Sequence, residues 1–219
     1  MTPPAFVPPE RLADGVWHWH ARHPEWHPAG FGSLVVCYAL AVPGGVLLVD
    51  PLVPDDGWDA IDALVEGRVD IAITMPYHLR SAERAANRYA TVVHGHPACA
   101  KRMAQPRLLQ PLESLASVSA HPIGRPRRHE TPLHVHARRA VVFGDAVVGV
   151  QGSDGPLRIW TYERLDARRE AWYATTFADT LRPLVALEPE HVLPTHGPAV
   201  IGGGAGALAA ALDRPVWFQ

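Results

Sequence analysis

Two apolar stretches, Ser33–Val42 and Val46–Asp50, stand back to back across Pro43-Gly44-Gly45. Their β-branched and aromatic side chains favour a pleated backbone and Pro-Gly-Gly supplies the reversal, so the pair reads as a β-hairpin. A sheet this apolar has to be covered by further layers. The flanking sequence indicates which ones. Upstream, residues 15–20 alternate Trp and His, as a half-exposed strand would. Downstream, Trp58, Ile61, Leu64 and Val65 recur at helical spacing within Asp56–Glu66. A buried-type strand is expected at Asp70–Thr74, a helix from about Ser81 to Tyr89, a strand at Thr91–His94 and a short helix at Pro97–Met103.

The second half repeats the theme. After an irregular Pro- and Arg-rich segment, Gln105–Arg128, a second hairpin joins Thr131–His136 to Ala140–Phe143 across Ala137-Arg138-Arg139. A loop with Gly149, Gly152 and Gly155 follows. Arg168–Leu187 reads as the longest helix, interrupted at Pro183, with a last strand at His191–Pro194 and a last helix at Gly206–Leu212. No repeat or linker divides these elements. They predict one α/β domain over residues 1–219, with helices outside two sheets.

Composition closes off several functions. A net charge of −2 gives no footprint for nucleic acid or an anionic membrane. Every basic side chain except Lys101 is arginine, which reflects a GC-rich bacterial genome rather than a binding function. The longest apolar run, Leu34–Val42, is too short to span a bilayer. The first residues lack the basic and apolar regions of a signal peptide, and Cys37 and Cys99 sit in unrelated contexts. The expectation is a cytoplasmic protein with both thiols reduced. There is no Gly-x-Ser-x-Gly elbow and no P-loop, and Gly202-Gly203-Gly204-Ala205-Gly206 lacks the dinucleotide spacing.

Three ordered segments carry a more specific signal. They are Val46-Leu47-Leu48-Val49-Asp50-Pro51, Val141-Val142-Phe143-Gly144-Asp145-Ala146 and His191-Val192-Leu193-Pro194-Thr195-His196-Gly197. Together they resemble the metallo-β-lactamase superfamily over roughly residues 14–212. The resemblance implies a four-layer αββα sandwich. It makes Asp145 the counterpart of the carboxylate that bridges two metals, and His196 the counterpart of a late metal-binding histidine.

The segment that should supply most ligands departs from the pattern. Where the family has His-x-His-x-Asp-His, this chain has Met75-Pro76-Tyr77-His78-Leu79-Arg80. Met75, Tyr77, Leu79 and Arg80 stand at the ligand positions, and only His78 remains, one residue out of register. Another family ligand falls near Arg125 or Pro126, with His129 a few residues away. A thioether, a phenol and a guanidinium are poor zinc ligands, and catalytic zinc uses at least three protein ligands. The two-zinc centre is therefore expected to be lost. What remains is either no metal, with Arg80 paired to Asp145, or one weakly held divalent ion, zinc before others, on Asp145, His196 and His78 or His129.

Two further histidine pairs, His18/His20 and His134/His136, each share one strand face. They read as solvated faces more than as chelating pairs. His23 and His27 lie in the loop that follows the first of them.

Three functions stay open. The first is a metal-free site in which Tyr77, His78, Arg80, Asp145 and His196 act on or bind a small molecule. The second is a hydrolase with one weakly bound metal. The third is a non-catalytic partner protein that uses its many tryptophans. Val216-Trp217-Phe218 either covers a neighbouring copy in a homo-oligomer or folds back on its own core.

Overall fold

A computed structural model describes residues 5–26, 32–152 and 155–218. The first sheet is laid down in sequence order by β1 (Phe6–Ala13), β2 (Val16–Arg22), β3 (Leu34–Val42), β4 (Gly45–Val49), β5 (Arg68–Ala72), β6 (Val93–His94) and β7 (Leu109–Gln110). β3 and β4 form the expected hairpin, and from β4 onward the neighbours run parallel. The chain then forms β8 (Val118–Ala120), β9 (Leu133–Val135), β10 (Ala140–Phe143), β11 (Val147–Gly149) and β12 (Leu157–Thr161). β13 (His191–Pro194), β14 (Val200–Ile201) and β15 (Trp217–Phe218) complete the strands. The second sheet has the order β14-β13-β10-β9-β8, and β11-β12-β15 make a small third one. Five α-helices are described: α1 (Trp58–Asp62), α2 (Ala82–Arg88), α3 (Ala167–Trp172), α4 (Ala178–Val185) and α5 (Gly204–Leu212).

Side-chain alternation explains the layering. Along β3, Val35, Cys37 and Ala39 face one core with Trp58, Ile61, Ala82 and Ala85 from the helices. The intervening Val36, Tyr38 and Leu40 face a second core shared with Leu133, Val135, Val142 and Leu193. On β10 the same period of two sends Val142 inward, and Val141 and Phe143 outward onto Phe177, Leu181 and Leu208. Both sheets are thus buried on both faces, and the fold is a four-layer αββα sandwich. Truncating Leu40 or Leu193 to alanine would open the central layer at about 2–5 kcal/mol. Tyr38 ties the sheets directly, its hydroxyl donating to the Pro194 carbonyl at 2.6 Å.

Several elements differ from the sequence expectation. β1 lies ahead of the elements read from the sequence; it is an edge strand, where Pro8 and Pro9 are tolerated. The long helix runs on through Pro183, which sits inside α4, and its interruption is instead a π-helical turn at Tyr173–Phe177. α1 ends at Asp62, short of Glu66. β12, hidden behind a glycine-rich loop, pairs with Trp217–Phe218, so the C-terminal residues fold back on their own chain. Cys37 and Cys99 are free, buried thiols of one core. No helix among the described residues is long and apolar enough to cross a membrane. His27 lies outside the described residues.

Candidate metal centre

Four strand ends converge at one edge of the sandwich. β4 and β5 run parallel in the first sheet, and β10 and β13 run parallel in the second. Residues following their carboxyl ends therefore meet in one crevice, the usual place for a ligand in an open α/β sheet. Asp50 follows β4, Thr74 and His78 follow β5, Asp145 follows β10 and His196 follows β13. Two glycines permit close backbone approaches around the crevice. A Cβ on Gly144 would lie 3.0 Å from Thr74 Oγ1. One on Gly197, whose φ is +77°, would lie 1.8 Å from the Gly149 carbonyl oxygen.

His78 reaches the crevice through a 3₁₀ turn at Pro76–His78. Pro76 starts that turn with its fixed φ, and the tightened backbone corrects the one-residue offset seen in the sequence. Asp50, fully buried, receives the Thr74 amide at 2.8 Å and the Thr74 hydroxyl, and lies 2.9 Å from His78 Nδ1. That contact fixes the imidazole with Nε2 directed at Asp145.

Asp145 is the hub of the other half. Its Oδ1 is buried and lies 3.3 Å from Nε2 of both His78 and His196, with hydrogen-bond geometry to neither. Its Oδ2 accepts from the Tyr162 hydroxyl at 2.7 Å and lies 3.7 Å from Arg127 Nη1. Arg127 also stands 3.8 Å from Glu130 Oε2, and Glu130 Oε1 accepts from the Ala146 amide at 2.9 Å. The Trp160 and His196 rings lie 6.3 Å apart.

The electrostatics follow from burial opposed by charge. Burial works against the Asp145 carboxylate, but the imidazoles of His78 and His196 outweigh it and hold its pKa well below the usual carboxylate range. For His78, burial and Arg80 push downward, while Asp50 and Asp145 prevail and raise it. His196 is lowered, chiefly by burial. Burial lifts the Glu130 carboxyl to about 7 against the pull of Arg127.

Of the five residues singled out in the sequence, all line one cleft of about 270 Å³. His78, Asp145 and His196 converge within it. Tyr77 stands at its rim, 65% exposed. Arg80 is a correction, because its guanidinium does not pair with Asp145. Its Nη1 donates to the Asp50 carbonyl at 3.0 Å, and Arg127 takes the place beside Asp145. A left-handed φ of +40° at Arg80 sends its side chain toward Asp50. His129 is also placed elsewhere, its ring 4.9 Å from that of His96. The sequence reading missed Asp50, Thr74, Arg127, Glu130 and Tyr162 as site residues. The signal for Asp50 was present, since an acid ends an otherwise apolar strand.

One donor atom from each of His78, Asp145 and His196 lies within 4.8 Å of the others, the one such group of three among the described residues. Neither the His18/His20 nor the His134/His136 pair belongs to such a group among the described residues. Two imidazoles and a carboxylate are a donor set that zinc accepts. The orphaned buried Oδ1 and the fixed Nε2 of His78 suit one ion there. The other oxygen of Asp145, Oδ2, is engaged by Tyr162 and Arg127.

Comparison with solved structures gives the same architecture. A metallo-β-lactamase from Erythrobacter litoralis superposes with a TM-score of 0.65 over 97% of each chain, at 16% identity. The DIM-1 metallo-β-lactamase gives 0.62 over 95% of this chain and 96% of that one, at 13% identity. The fold is that of the metallo-β-lactamases. No family model matches the chain, and no curated protein matches it in sequence. At these identities the likeness establishes the metallo-β-lactamase fold alone, and the chemistry has to be argued from the residues.

Proposed function

We propose that the cleft is a hydrolase-type site for a small molecule, holding one divalent metal, zinc first, on His78, Asp145 and His196. The observation that carries this is the convergence of three buried donors, one imidazole already oriented by a carboxylate behind it. A metal bound there supplies Lewis acidity toward a carbonyl or phosphoryl oxygen and makes water more acidic. The chain's own residues do the positioning. Asp50 and Thr74 hold His78, while Tyr162 and Arg127 hold Oδ2 so that Oδ1 faces the imidazoles. Tyr77, Tyr162 and Trp26 border the cleft.

A second reading is favoured by one observation. His78 has a raised pKa between two carboxylates, so a proton on Nε2 competes for the place of the metal. Zinc titration of chelator-treated protein decides between them. One equivalent, with a melting temperature that rises with zinc and fails to rise in His196→Ala, supports the metal reading. At a hundredfold excess over Kd the gain is about 2.7 kcal/mol. No saturable zinc binding, or two equivalents, overturns it.

A further inference from the structure

Beside the candidate metal cleft lies a larger cavity of about 690 Å³, within the size range of small-molecule sites. Two stretches distant in sequence build its charged wall. Lys101 and Arg102 come from the 3₁₀ turn Pro97–Arg102, and Arg127, Arg128 and His129 from the loop before β9. The single acid in the wall, Glu130, is buried, held by the Ala146 amide and faced by Arg127. Elsewhere the chain commonly neutralises its arginines, as in Arg84–Asp55, Arg88–Asp62 and Arg182–Asp179. Lys101, Arg102 and Arg128 have no such carboxylate among the described residues. Like charges that converge on one cavity without counter-ions repel, and a bound anion relieves the repulsion.

The geometry also connects the cavity to the cleft. Tyr77 and Tyr162 line both spaces. Arg102 is held over the Tyr77 ring, its Cζ 4.4 Å from the centroid, so this exposed guanidinium is fixed in direction at the boundary. Arg127 touches both sides, beside Asp145 in the cleft and in the wall of the cavity.

We propose that this cavity binds a phosphate-like oxyanion carried by a small ligand, whose other end reaches His78, Asp145 and His196. The second half of that statement rests on the function proposed above; the oxyanion site itself does not. Guanidinium groups match tetrahedral oxyanions through paired N–H donors, and Lys101 adds a point charge. The occupant is a small molecule because the charge is confined to one cavity of a chain whose net charge is −2. A nucleic-acid track would need basic charge continuing beyond it.

The test uses inorganic phosphate and the chelator-treated full chain, followed by calorimetry at low and at physiological salt. Saturable binding in the millimolar range is expected, weakening with salt. The double variant Arg102→Glu/Arg128→Glu should weaken it at least about tenfold, as loss of charge-assisted contacts implies. Arg107→Glu/Arg168→Glu, with two exposed changes outside the cavity that alter the charge by the same amount, controls for net charge and should leave it unchanged. Unaltered circular dichroism and melting temperature show that each variant is folded. His196→Ala, which tests the metal reading, should leave phosphate binding intact, so the two ideas fail separately. The proposal is overturned by absence of saturable phosphate binding, by equal losses in the double variant and the control, or by loss in His196→Ala alone. Tight binding of a short oligonucleotide that phosphate does not displace also overturns it.

Discussion

The half of the candidate site built on β4 and β5 and the half built on β10 and β13 reach one cleft by different electrostatics. In the first, the buried carboxylate of Asp50 is satisfied by short local contacts, the amide and hydroxyl of Thr74 and the imidazole of His78. In the second, Asp145 Oδ2 accepts from the Tyr162 hydroxyl at 2.7 Å and lies 3.7 Å from Arg127, while Oδ1 lies 3.3 Å from two imidazoles with hydrogen-bond geometry to neither. One carboxylate is spent on holding structure and the other is kept available. The difference separates a support from a candidate ligand: both acids are buried, and only Asp145 has an oxygen with no hydrogen bond.

The largest expected effect tests that division. Asp50→Ala strands the Thr74 amide and one nitrogen of His78 in a buried site, and should cost about 3–5 kcal/mol in the metal-free protein. Asp145→Ala should cost less, on the order of 1–3 kcal/mol, because Arg127 keeps Glu130 and both imidazoles can turn neutral. Urea denaturation of the two variants measures the order. If Asp145→Ala proves the more damaging, Asp145 is a structural acid and the comparison fails.

The next effect lies in the pH dependence of the second half. The Glu130 carboxyl is raised in the folded state from 4.5 to about 7. A raised carboxyl favours the protonated form, so its contribution to stability is present below about 4.5 and is lost as pH climbs through about 7. That amounts to about 3 kcal/mol across the window. His78, also raised, loses its contribution in the same direction at higher pH, while the lowered His196 acts the opposite way. Glu130→Gln keeps an oxygen for the Ala146 amide and removes the titration. Its stability should therefore fall less than that of the parent between pH 4.5 and pH 7. An unchanged pH profile would mean that Glu130 is not the titrating group.

How legible each half was in the sequence follows from the range of its contacts. The hairpin of β3 and β4 and the ends marked by Asp50, Asp145 and His196 could be read, because apolar runs and turn residues are local signals. The rescue of His78 could not. It depends on a 3₁₀ turn that changes the direction of one side chain, and strand-register counting has no access to that. Arg80 and Arg127 exchanged roles for a similar reason. Arg80 is close to the ligand positions in sequence, but its left-handed backbone carries it to the Asp50 carbonyl. Arg127 lies in a segment without periodicity, and only the packing of β12 against β11 brings Trp160 and Tyr162 over it.

The smallest effect is expected at Tyr162, and it sharpens the comparison most. Tyr162→Phe removes one hydroxyl, the 2.7 Å donor to Asp145 Oδ2, and leaves the ring against Trp160 at a centroid distance of 4.1 Å. Because Tyr162 is 64% exposed as a residue and Arg127 still faces the same oxygen, stability should change by less than about 1 kcal/mol. Zinc affinity should respond more, by roughly tenfold, since the hydroxyl turns Oδ2 away from the imidazoles and groups that orient a ligand carry effects of that order. Competition against a chromophoric chelator gives the affinity, and a urea titration on the same sample gives the stability. A variant that weakens zinc while keeping its stability marks Tyr162 as a positioning residue of an available carboxylate. One that loses several kcal/mol of stability would place Asp145 in the same structural class as Asp50. The distinction between the two halves would then disappear.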